Sequence, residues 1–90
     1  MQIISSKEMI LLSKQSIYFN LQEMTHANDS KKLKKGIDML HGVISVSVNY
    51  DKKNVAVDFD STGTNGEEIK NEIEKLGYIP QFIKQEDHIM

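Results

Sequence analysis

The spacing of apolar residues switches between two and three-to-four along this chain, and the order of the switches leaves few folds open. Ile17, Phe19 and Leu21 alternate with Tyr18, Asn20 and Gln22, the period of a half-buried strand. Residues 23–29 break that alternation and supply several helix N-caps. Leu33, Ile37 and Leu40 then recur at helical spacing, with Lys31, Lys32, Lys34 and Lys35 around the rest of the turn and Gly42 as the stop. From Val43 the period returns to two: Ile44, Val46, Val48 and Tyr50 are expected on one face, Ser45, Ser47 and Asn49 on the other. A polar turn, 51–54, leads to a third alternating run with Val55, Val57 and Phe59 on its apolar side, so the pair reads as a β-hairpin. After a loop over 61–66, Asn65 and Glu68 have capping-box spacing, Ile69, Ile73 and Leu76 form a second helical stripe, and Gly77 fits its C′ position. A last strand is expected over 78–83. Pro80 cannot donate to a ladder, which puts that strand on an edge.

The order is β-α-β-β-α-β, an α+β, ferredoxin-like split βαβ arrangement. Each strand has one apolar face, so the expected form is a four-stranded antiparallel sheet with both helices on one side. Ninety residues suffice for one such domain. It is expected over 17–84, with an N-terminal extension over 1–16 and a frayed tail over 85–90. The extension holds Ile3, Ile4, Met9, Ile10, Leu11 and Leu12, too apolar for plain disorder. An extra strand, a short helix on the open sheet face, a mobile arm and pairing across a subunit interface all stay open for it.

Composition removes several function classes. There is no cysteine, hence no disulfide, no thiolate nucleophile and no soft-metal ligand of that kind. All eleven basic residues are lysine, and without arginine the bidentate reading of phosphate or guanine is lost. The third strand would present Ala56, Asp58 and Asp60 on its open face, where acids repel a nucleic acid backbone. Neither nucleic-acid binding nor membrane insertion is expected. No apolar run approaches a membrane span, and Met9–Leu12 is too short for a signal segment, so a cytoplasmic protein is expected. No nucleophile–base pair, P-loop or dinucleotide fingerprint appears, and the chain reads as a non-enzyme. Charge is uneven: residues 1–35 hold six lysines and three acids, residues 36–90 five lysines and ten acids, which suits a docking surface.

Met24-Thr25-His26-Ala27-Asn28-Asp29, then Leu33, Ile37, Leu40 and Gly42-Val43, and later Gly77-Tyr78, carry a resemblance. Over residues 17–83 the sequence resembles the heavy-metal-associated domain, the module of copper chaperones and of the cytosolic tails of metal-pumping P-type ATPases. That family's pattern is Gly-Met-Thr-Cys-x-x-Cys, a helix, Gly-Val at the second strand and Gly-Tyr or Gly-Phe before the last. The interval from His26 to Gly42 is 16 residues, as in the family.

The departure falls on the metal loop. His26 and Asp29 stand where the two thiolates would be, and Glu23 replaces the usual glycine. Two cysteines suit the soft Cu(I) ion; imidazole and carboxylate do not, so the resemblance implies a degenerate site with Cu(I) chemistry lost or severely weakened. His26 and Asp29 suit a divalent ion instead (zinc, nickel, cobalt or copper(II)), with Glu23 as a third oxygen. The plain structural alternative is that Asp29 caps the first helix and His26 is an exposed loop residue. His41 and His88 are scattered. The resemblance further implies that Met24 plugs the core beneath the loop, that Thr25 supports it, and that Tyr78 shields it. It also implies that Lys31, Lys32, Lys34 and Lys35 dock an acidic partner, the plain alternative being a solvated helix face; for an interaction module the ligand would be an acidic partner or a second copy. A metal-independent interaction module on the same scaffold is the competing function.

Overall fold

The computed structural model describes residues 14–87. In chain order the elements are β1 (Lys14–Asn20), α1 (Ala27–Asp38), β2 (Val43–Asn49), β3 (Asn54–Asp60), α2 (Gly66–Lys75) and β4 (Gln81–Asp87). The strands form one antiparallel sheet in the order β2-β3-β1-β4. The βαββαβ order, the mixed α+β class and the edge position of the last strand agree with the sequence reading. Questions about residues 1–13 and about His88 lie outside the described residues.

One face of the sheet carries the core. Ile17 and Phe19 of β1, Val46 of β2 and Val55, Val57 and Phe59 of β3 meet Leu33 and Ile37 of α1 and Ile69 and Ile73 of α2. Burial of such side chains, at about 25 cal/mol per Å² of apolar surface, is what holds the two layers together. Gly36 brings the helices close: a Cβ there would stand 2.7 Å from Leu76 Cδ1. The opposite face carries polar side chains that bond to one another. Asp58 accepts the hydroxyls of Ser16 and Ser45, and Asn20 donates to Asn54 at 3.0 Å.

Helix ends follow the sequence signals closely at α2. Asn65 Oδ1 accepts the Glu68 amide at 2.9 Å, while the Glu68 carboxylate accepts the Thr64 hydroxyl at 2.8 Å. Gly77 follows the C-cap Leu76 with φ +104°. At α1 the helix closes earlier than expected, with Met39 as C-cap. Gly42 instead opens β2 with φ +93°, pressed against Gly63; a Cβ would meet the Gly63 carbonyl carbon at 2.7 Å.

Strand bounds and facing need four corrections. β1 runs over Lys14–Asn20, earlier than 17–22, so 14–16 belong to the sheet and not to an extension. β4 begins after Pro80 and continues to Asp87, so residues 85–87 are paired with β1 and not frayed. On β2 the register slips between Val43 and Ser45, leaving Ile44 as the extra residue of a bulge. Val43 therefore packs against the core, and Ile44 is 49% exposed. Tyr50, expected inward, starts the turn and is 38% exposed.

Candidate functional site

The segment between β1 and α1 crosses one end of the sheet, and Met24 anchors it. Its side chain is fully buried in the core, with Ser30 Oγ 4.0 Å from the sulfur. Thr25 and His26 follow on the surface, and His26, in extended conformation (φ −127°, ψ 148°), is the N-cap of α1.

Asp29 is the centre of this end of the molecule. One carboxylate oxygen, Oδ2, accepts both the Thr25 and the His26 amides at 3.0 Å. In return the Asp29 amide donates to the His26 carbonyl at 2.9 Å. The other oxygen, Oδ1, accepts the Tyr78 hydroxyl at 2.5 Å, joining residues 49 positions apart. The first turn of a helix favours a negative charge in any case. The Tyr78 hydrogen bond, then the His26 and Thr25 amides, hold the Asp29 carboxyl below its ordinary value, with the nearby His26 adding a smaller part. Burial first, and Asp29 second, push the Tyr78 phenol up to about 12.

Glu23 turns elsewhere: its Oε1 accepts the Ile79 amide at 3.0 Å, tying the start of the loop to the lead into β4. Among the described residues no group of three His, Asp or Glu side chains is disposed to hold a metal ion. Glu23, His26 and Asp29 are thus not gathered into one three-donor site. His41 lies beside Gly63 and adds to the lowering of Asp60, whose main cause is the Thr62 hydroxyl and amide, at the turn after β3.

Two residues that sequence reasoning missed complete the site. Tyr50 donates its hydroxyl to the Thr25 carbonyl at 2.7 Å, and Lys53 Nζ donates to the Met24 carbonyl at 2.5 Å. Both come from the β2–β3 turn, where Lys53 adopts φ +58°. Nothing in a four-residue polar turn signals that it reaches a loop 25 or more positions earlier. Loop 24–26 is therefore held by its own helix, by Tyr78 and by the hairpin turn. Lys31, Lys32, Lys34 and Lys35 are all exposed on α1, and Lys32 lies 5.5 Å from the Tyr78 ring centre, so the basic face runs up to the loop.

Residues 19–78 match the family model described as the heavy-metal-associated domain. Among solved structures, the chain is similar to the copper-binding domain of HMA7, a P-type ATPase. The identity is 27%, with a TM-score of 0.76, over 79% of this chain and 96% of that one. It is also similar to the N-terminal domain of a potential copper-translocating P-type ATPase from Bacillus subtilis in the Cu(I)-loaded state. That likeness is 23% identical with a TM-score of 0.76, over 86% and 96% of the two chains. Oxidized MerP from Ralstonia metallidurans CH34 is 22% identical with a TM-score of 0.75, over 79% and 99%. No curated protein matches by sequence. With the family model covering most of the described residues, the chain belongs to the heavy-metal-associated domain family.

Proposed function

We propose that this domain serves metal-ion handling as a docking module and does not carry Cu(I). One observation carries the reading: the carboxylate at the second thiolate position is engaged on both oxygens by the protein's own Thr25, His26 and Tyr78 donors. An incoming ion would have to displace those bonds. In exchange it would gain only an imidazole and a carboxylate, neither of which suits a soft ion. The family match supports a place in metal handling, and the solved relatives are named as binding or transport domains, which supports a non-enzymatic role. What stays available is the exposed Lys31, Lys32, Lys34 and Lys35 face beside the closed loop, and its counterpart is an acidic protein surface.

The test pairs two measurements on the full chain. A Cu(I) competition titration against a chelator is expected to show no uptake. Capture of an acidic partner is expected to weaken with salt and with Lys31→Glu/Lys35→Glu, while circular dichroism stays unchanged. Tight Cu(I) uptake, or binding indifferent to those lysines, overturns the reading.

A second reading has its own support, since His26 is exposed and lies close enough to influence Asp29. In it, His26 and Asp29 take a divalent ion weakly, without Glu23. Zinc, nickel or copper(II) at millimolar concentration would then shift the His26 and Asp29 NMR signals together. If neither moves, this reading falls and the docking reading stands.

A further inference from the structure

The two helices do not cover the core side of the sheet out to its margin. Phe82 of β4 stands directly opposite Phe19, and the two rings meet edge-on with centres 6.3 Å apart. Phe19 is 1% exposed, whereas Phe82 is 62% exposed. Between β4 and the start of α2 runs a groove lined by Ile17, Phe19, Pro80 and Phe82, with Glu67 and Lys70 on its α2 side. Gly66 brings α2 down at one end of it: a Cβ there would stand 2.8 Å from Ile17 Cδ1. The groove is apolar in a way the far face of the sheet is not, since there Asp58 binds Ser16 and Ser45, and Asn20 binds Asn54.

The chain carries an occupant of matching chemistry. Residues 1–13 hold Ile3, Ile4, Met9, Ile10, Leu11 and Leu12, and their only charged side chains are Lys7 and Glu8, one of each sign like the groove's Glu67 and Lys70. They enter the sheet where the groove opens. Gln15 pairs with Asp87, and Gln85, on the groove, donates to the Gln15 side chain. From Gln85 to Phe82 is about 10 Å at the rise of a strand. A turn of about four residues reverses a chain. The nine or so residues left span about 14 Å as a helix and about 30 Å extended, and either length covers the groove. A segment tethered this closely is held at an effective concentration of order millimolar, so a small apolar contact is enough to seat it.

We propose that residues 1–13 fold back on the domain and seat their apolar side chains in the groove between β4 and the start of α2, closing the core over Phe82. The inference uses neither Asp29 nor the α1 lysines, so it does not depend on the docking reading. NMR on the full chain tests it first. Nuclear Overhauser contacts are expected from the methyl groups of residues 3–12 to the Phe82 ring and to Pro80, within one chain and at every concentration. Trypsin gives a second readout, because Lys7 is the only lysine of the segment. Cleavage at Lys7 is expected to quicken several-fold in Ile10→Asp/Leu11→Asp, a variant that leaves residues 14–87 unaltered and the sheet's amide signals in place. Contacts seen only between a labelled and an unlabelled chain would give the groove to a second copy. Contacts to Ser47 and Ala56 would put the segment on the far face. Either result overturns the proposal, as does a wild type without contacts or a variant cleaved no faster than the wild type.

Discussion

Asp29 takes the place of a metal ligand in this sequence and does the work of a clasp. An ion bound between two thiolates would cross-link the loop to the helix; the carboxylate does so with three hydrogen bonds and no ion. Because the folded protein holds Asp29 ionised more firmly than the unfolded chain does, its contribution is present above the ordinary carboxylate pKa of 3.8. That contribution is lost as the pH falls through the depressed value. Tyr78 works in the opposite sense. Its raised value means that its contribution is full below 10 and disappears as the pH climbs from 10 towards 12. Asp29→Asn is therefore expected to flatten the acid limb of a stability-against-pH curve followed by urea unfolding. The same variant is expected to bring the phenolate titration of Tyr78 below 12, though not to 10, since burial remains. An unchanged Tyr78 titration in Asp29→Asn would mean that the carboxylate does not govern the phenol. The sequence alone made Asp29 legible as either a cap or a ligand, because both roles ask for an oxygen at the same place. Only the reach of Tyr78 from the far end of the domain separates them.

At the scale of elements, periodicity located every strand and helix among the described residues, read the ends of α2 correctly and misjudged where several of the others begin and end. Alternation cannot see a bulge: Val43 and Ile44 are both apolar, and counting back from Val46 by twos selects Ile44, whereas the register slip turns Val43 inward. The glycines show the same limit. Gly42 and Gly77 both look like helix stops, and both have positive φ, which costs a residue with a Cβ roughly 1–2 kcal/mol. Their surroundings differ. A Cβ on Gly77 meets nothing within 4 Å, whereas one on Gly42 runs into the Gly63 backbone at 2.7 Å. Gly77→Ala is thus expected to cost about 1–2 kcal/mol in urea unfolding, for conformation alone. Gly42→Ala is expected to exceed about 3 kcal/mol, because backbone must move. Equal costs would show that the Gly42–Gly63 contact yields easily.

Across the whole molecule, charge and core fall in separate places: an apolar layer between sheet and helices, a basic face on α1, and a self-paired polar surface on the far side of the sheet. Composition gave the first outlines of this division, since lysines concentrate before residue 36 and acids after it. What no composition reveals is how the loop end of the domain is tied. Its bonds join Glu23 to Ile79, Thr25 to Tyr50, Met24 to Lys53 and Asp29 to Tyr78, pairs separated by 25 to 56 positions. Contacts that span so much chain bear a large closure entropy and form only after the sheet has brought their carriers together. The clasp is accordingly expected to form late in folding and to break early in unfolding. Tyr78→Phe, which removes the hydroxyl and keeps the ring, is expected to hasten unfolding in stopped-flow measurements while leaving the refolding rate nearly unchanged. A slowed refolding rate would place the clasp in the folding nucleus instead. A loop secured in this order sets the lifetime of the native state more than the route by which it is reached.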